Sequence, residues 1–213
     1  YGDTYMETFP AWTPDGKNLY FTRAQGYKKG MALDSIRYDL CRISFDASTE
    51  KMGAPEMVLQ ASAEQKSISF PCVSPNGKYL MFTLSDYGNF SIWHPESDLY
   101  IMDLTTGTTK NLENVNSSDV DSYHTWSSSG HWFVFSSKRM DGLWARPYIA
   151  AFNPETGETG KAFLLPQEDP MFYDNYTYTY NRPELIKTAV KNGKEFEKII
   201  QQAAIPSTPK KNH

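Results

Sequence analysis

The sequence predicts an all-β fold: about three four-stranded antiparallel blades of a β-propeller, followed by a helical tail. Three observations predict it. One hairpin occurs three times, over residues 9–22, 69–83 and 123–136. Its turn glycines, Gly16, Gly77 and Gly130, lie 61 and 53 residues apart, close to the period of a four-stranded repeat. Aromatic residues make up 15% of the chain, with 14 Tyr and 5 Trp, which suits aromatic-packed sheets better than helices.

Each hairpin follows from local chemistry. Pro75-Asn76-Gly77 is a turn because proline presets its own backbone angle, and Asn-Gly tolerates positive φ. Pro14-Asp15-Gly16 repeats it, and Ser128-Ser129-Gly130 is a weaker copy. The first repeat continues through a loop at 24–35 to a third strand at 37–46. That strand alternates apolar with polar residues. Glu56 to Leu59 is its fourth strand. The second repeat places its third strand at 97–104 and its fourth at 108–112. The third repeat places them at 146–153 and 161–165. The predicted divisions are 1–60, 61–115 and 116–168 for the blades, and 169–213 for a tyrosine-rich loop, helix and tail. Arg182-Pro183-Glu184 has the composition of a helix start, and 182–204 is predicted mostly helical. Its apolar face, Leu185, Ile186 and Val190, is expected to pack on the β-structure or on a partner.

Composition excludes several function classes. The formal net charge is −4 and no long charge run occurs, so there is no nucleic-acid footprint. No stretch approaches 18 apolar residues, so no membrane span is expected. The chain opens on Tyr1-Gly2-Asp3, without a methionine or an apolar signal, and reads as a mature or excised piece of a longer product. Cys41 and Cys72 belong to no metal or haem motif; they are either buried thiols or a disulfide.

The run Pro-x-Trp-x-Pro-Asp-Gly-Lys from Pro10 to Lys17 resembles the repeats of TolB-type propellers, related to WD-type repeats. The resemblance covers residues 7–167. The stretch from Ser122 to Pro166, followed by Tyr180-Asn181-Arg182-Pro183-Glu184, is also similar to the C-terminal end of TolB-like proteins from Bacteroidetes. It implies an exported protein of the periplasm or cell envelope, with a binding role more than a catalytic one. It also implies a six-bladed ring, of which three blades are half.

No GxSxG elbow is present, so no catalytic residue is named, and no cofactor is expected. None of the four histidines belongs to an HxH or HExxH motif, so no metal site is expected. His124 takes the place of Pro10 and Pro71 on an inner strand and shares a face with Trp126, which makes the pair a ligand candidate. Arg139, Asp141 and Arg146 are a second candidate: two guanidiniums beside a carboxylate can grip an anion or a sugar, or else simply order the loop. Trp144, Trp93, Tyr87 and Phe90 fall in corresponding loops, where aromatics either recognise a peptide or glycan or pack between blades.

Two functions are consistent with this. The first is a non-catalytic propeller that binds a protein, peptide or glycan through its loop face. The second is a propeller-type enzyme or gating domain, a polysaccharide lyase or a serine-peptidase propeller, whose catalytic part lies outside this chain. Repeat units bury their faces only against neighbours. The ring is therefore expected to be completed by missing N-terminal blades, by a second copy, or by the C-terminal segment folding back, the first being favoured.

Overall fold

The computed structural model describes residues 4–189, 191 and 193–202. Three antiparallel sheets follow one another along the chain. The first holds β1 (Tyr5–Trp12), β2 (Asn18–Gln25) and β3 (Asp39–Asp46), with its outermost strand in two pieces, β4 (Lys51–Met52) and β5 (Glu56–Leu59), both paired to β3. The second runs in order β6 (Ser67–Val73), β7 (Tyr79–Ser85), β8 (Asp98–Asp103) and β9 (Thr109–Asn111). The third repeats this with β10 (Asp121–Trp126), β11 (Trp132–Ser137), β12 (Arg146–Ala151) and β13 (Phe163–Leu164). This is the repeated four-stranded unit that the hairpin period predicts.

The hairpin turns are chemically equivalent. Gly16, Gly77 and Gly130 have φ of 69°, 72° and 72°, a conformation that costs glycine nothing. Ahead of each glycine a short polar side chain holds the turn. Asp15 Oδ1 accepts from the Thr13 hydroxyl and the Lys17 N–H, and Asn76 Oδ1 accepts from the Ser74 hydroxyl and the Lys78 N–H. Ser129 Oγ contacts Ser127 Oγ and accepts from the His131 N–H, which explains how serine replaces the acidic or amide residue there.

Each inner strand carries a bulge at the same place. The register shifts between Thr8 and Ala11, between Ser69 and Cys72, and between Ser122 and Thr125. The first residue of each bulge is aromatic and left-handed: Phe9, Phe70 and Tyr123 have φ of 54°, 52° and 55°. Bulky residues rarely adopt this conformation. Their rings form a row across the three blades, with centroids 4.1 Å apart for Phe9–Phe70 and 4.7 Å for Phe70–Tyr123.

The core lies between the sheets. Tyr20 and Leu40 of the first blade meet Ile68, Leu80, Phe82 and Met102 of the second. Tyr79, Met81, Leu99 and Ile101 of the second meet Phe133, Phe135, Tyr148 and Phe152 of the third. Cys41 and Cys72 are free thiols; burial pushes both thiols up, as befits small hydrophobes rather than reactive groups.

The tail corrects one expectation. Its helices are α1 (Phe172–Asn175) and α2 (Gly193–Gln201), and residues 182–189 are not helical. The backbone there is committed to the third blade: the Ser136 hydroxyl donates to the Asn181 carbonyl, and the Thr125 hydroxyl donates to the Pro183 carbonyl at 2.6 Å. Proline at 183 also disfavours the helical conformation at Arg182. Leu185 and Ile186 are exposed rather than packed on the sheet, and Val190 lies outside the described residues.

Candidate binding face

Antiparallel pairing puts the loops between second and third strands at one end of every blade. The hairpin turns lie at the other end. The loops touch one another: the Gly88 N–H donates to the Ile36 carbonyl at 2.8 Å, and Lys138 Nζ lies 4.0 Å from the centroid of the Trp93 ring. The turn end is joined separately, by Lys78 to Glu155 at 2.8 Å and by the Asn76 amide to the Pro154 carbonyl.

Large apolar side chains are exposed at the loop end of every blade, while Trp12, Met52 and Trp132 are exposed at the turn end. Leu33 in the first blade is 71% exposed, Trp93 in the second 74% and Leu143 in the third 69%. Tyr27, Phe90, Met140 and Trp144 are exposed beside them. One such residue would mean little, but the same loop carrying them in three consecutive blades makes a surface that water does not favour. Tyr87 differs: it turns its ring edge-on to His94, with centroids 4.4 Å apart, and is part of the loop's own packing.

The polar candidates lie at the same end but are occupied by the protein. Arg139 is bound to Asp121, to the Ser137 hydroxyl at 2.9 Å and to the Val115 carbonyl at 2.7 Å. Arg146 is buried and donates to the carbonyls of Tyr178 at 2.6 Å, Tyr176 at 2.7 Å and Tyr173 at 3.2 Å. Asp141 accepts from the N–H groups of Leu143 and Trp144, and its carboxylate stands 4.0 Å from Arg146. Both guanidiniums are thus spent inside the molecule, and the carboxylate shapes the loop that presents Trp144. A ligand cannot displace Arg146 without releasing the tail. An Arg146→Met variant should lose on the order of 3 kcal/mol, because three charge-assisted hydrogen bonds go and their carbonyls are stranded. Denaturant unfolding together with proteolysis within 168–184 checks this; an unchanged midpoint and an uncut tail would contradict it.

Trp126 and His124 lie between the second and third blades. The Trp126 indole donates to the Cys72 carbonyl at 3.1 Å, and its ring stands 4.8 Å from Phe152 and 5.6 Å from Phe133. His124 is completely buried and both ring nitrogens lack a hydrogen-bond partner. The Met81 and Phe70 backbone lies near the ring, but neither makes a hydrogen bond of good geometry with it. Burial holds its pKa down to about 3, so the ring is neutral. Among the described residues, no three His, Cys, Asp or Glu side chains gather as a metal cluster.

These three blades, with their interdigitated faces and common end, decide the fold. It is a β-propeller. An oligogalacturonate lyase in complex with manganese matches 76% of this chain and 43% of its own, with 12% identity and a TM-score of 0.51. The β-propeller domain of the Trilobed protease from Pyrococcus furiosus matches 78% of this chain and 44% of its own, with 13% identity and a TM-score of 0.44. The Dos1 propeller matches 75% and 37%, with 16% identity and a TM-score of 0.46. At 12% identity the likeness to the lyase speaks for architecture alone. This chain spans less than half the length of these three structures. No family model and no curated protein matches it.

The sequence did not single out the bulge row or the Asp121–Arg139 pair. The bulge had a signal, since Phe9-Pro10, Phe70-Pro71 and Tyr123-His124 occupy one position in the three repeats. The ion pair had none, because its partners are 18 residues apart on different elements.

Proposed function

We propose that the chain is a non-catalytic binding module, a propeller that takes a protein, peptide or glycan partner on its loop face. One observation carries this reading: equivalent loops of all three blades expose large apolar and aromatic side chains at the same end. Aromatic anchors ringed by polar residues are what binding hot spots are made of. The arginines that offered an alternative anion site are engaged internally, which leaves the aromatics as the available contacts. The resemblance to TolB-type repeats adds a location to the proposal, the periplasm or cell envelope, and a larger ring to which these blades belong.

The test is a screen of the purified chain on a glycan array and an extended-peptide library. Every hit is then repeated with Phe90→Ala/Trp93→Ala and, as a control at the turn end, with Trp12→Ala. The proposal expects hits weakened at least about tenfold, or 1.4 kcal/mol, by the loop variant and unchanged by the control. Hits insensitive to the loop variant, or no hits at all, would overturn it.

A further inference from the structure

The contact between neighbouring blades has a fixed hydrogen-bond signature. Between the first and second, the Ile68 N–H donates to the Tyr38 carbonyl at 2.9 Å. Between the second and third, the Asp121 N–H donates to the Ser97 carbonyl at 2.8 Å. In each case the carbonyl belongs to the residue just before the third strand, and the N–H belongs to the next blade's inner strand. On the open side of the third blade the same bond exists. The residue before β12 is Ala145, and its carbonyl accepts from the Tyr180 N–H at 2.9 Å.

Two further contacts repeat in the same register. The Tyr38 N–H donates to the Ser67 hydroxyl, one residue before Ile68, and the Ala145 N–H donates to the Thr179 hydroxyl, one residue before Tyr180; both are 3.0 Å. Thr83 bonds Ser122 in the next inner strand at 3.0 Å, and Ser136, at the equivalent place in β11, bonds the Asn181 carbonyl. This register sets Asn181-Arg182-Pro183 against Ser69-Phe70-Pro71 and Ser122-Tyr123-His124, with proline returning at the bulge.

From this register we infer that residues 179–185 are the innermost strand of a fourth blade, and that their free edge accepts an extended segment with the second-strand pattern, a phenylalanine followed by Thr or Ser. Among the described residues nothing pairs with that edge, and Asn181, Arg182, Glu184 and Leu185 are exposed. Among the described residues, 186–202 continue into α2 and supply no second strand. A second copy cannot fill the place as a ring neighbour: its own inner strand β1 would need the seat that 179–185 already occupies, and its second strands are paired. The occupant is therefore a segment with an unpaired second strand. Its chemistry follows from the three complete blades, where a phenylalanine (Phe21, Phe82 or Phe135) sits opposite the bulge and Thr or Ser follows it. Main-chain pairing would supply the affinity, and that phenylalanine the register.

The probe is a synthetic peptide with the sequence of residues 17–25, a blade second strand, added at millimolar concentration to the 213-residue chain. Amide hydrogen exchange is read at 180–186. The expected result is protection of at least two amides among 181–186 by about tenfold or more, or 1.4 kcal/mol. A peptide with serine for its phenylalanine should protect several-fold less, and Thr125→Val/Ser136→Ala in the protein should weaken the effect by loosening the seat. Unchanged exchange, or equal protection by a scrambled peptide, would overturn the inference. Trp93→Ala should leave the protection intact, so failure here and failure of the loop-face proposal are distinguishable.

Discussion

Asp121→Ala should be the most damaging single change outside the apolar core, costing about 3–5 kcal/mol. Asp121 is fully buried at the start of the third blade's inner strand. Its carboxylate accepts from Arg139, from the Ser117 N–H and from the Ser117 hydroxyl. Burial pushes the carboxyl pKa up and Arg139 pulls against it, so the guanidinium is what makes a buried charge tolerable. Removing the carboxylate leaves that guanidinium without its counter-charge, held only by the Ser137 hydroxyl and the Val115 carbonyl, under Tyr148, whose ring centroid lies 4.5 Å from it. The double variant Asp121→Ala/Arg139→Met should be more stable than Asp121→Ala alone, because the orphaned charge has gone with its partner. Chemical denaturation of the four proteins of the cycle decides it. Additive losses would mean the pair is not coupled.

His124 should make the protein acid-sensitive, and His124→Phe should remove that sensitivity. The unfolded imidazole titrates near 6.5, while the folded one is held at about 3 by burial. Above pH 6.5 neither state binds the proton and the group is silent. As pH falls from about 6.5 towards 3, the unfolded state binds a proton that the folded state refuses, and stability is lost. The slope is about 1.4 kcal/mol per pH unit, or about 2–3 kcal/mol at pH 4.5. The phenylalanine variant should also gain about 1–2 kcal/mol at pH 7, since two unpartnered ring nitrogens leave the core. Unfolding free energies of both proteins between pH 4.5 and 7.5 check this; parallel curves would contradict it.

How far the sequence reaches is visible in these residues. The hairpins were legible because Asp15, Asn76 and Gly77 carry their turn chemistry within four residues. Local signals of that kind survive without tertiary context. The loop aromatics Trp93 and Trp144 were legible as a class, though not their exposure, which depends on what the neighbouring loop covers. Arg146 was visible as a charge near Asp141 but not as a clamp, because its acceptors are backbone carbonyls about 30 residues away. The tail misled for a physical reason. Arg182-Pro183-Glu184 has the composition of a helix start, yet the hydroxyls of Ser136 and Thr125 hold that backbone on the third blade. The fourth copy of the inner strand was hidden because it keeps its proline and loses the turn glycine that marks the other three.

The most direct test of this account is native-state amide exchange at three equivalent positions, Ile68, Asp121 and Tyr180. If 179–185 stands where the next blade's inner strand stands, the Tyr180 amide should be protected to within about tenfold of the other two, or 1.4 kcal/mol in opening free energy. It should lose that protection in Arg146→Met while Ile68 keeps its own. A Tyr180 amide that exchanges as fast as an unstructured peptide, with Ile68 and Asp121 protected, would contradict the account.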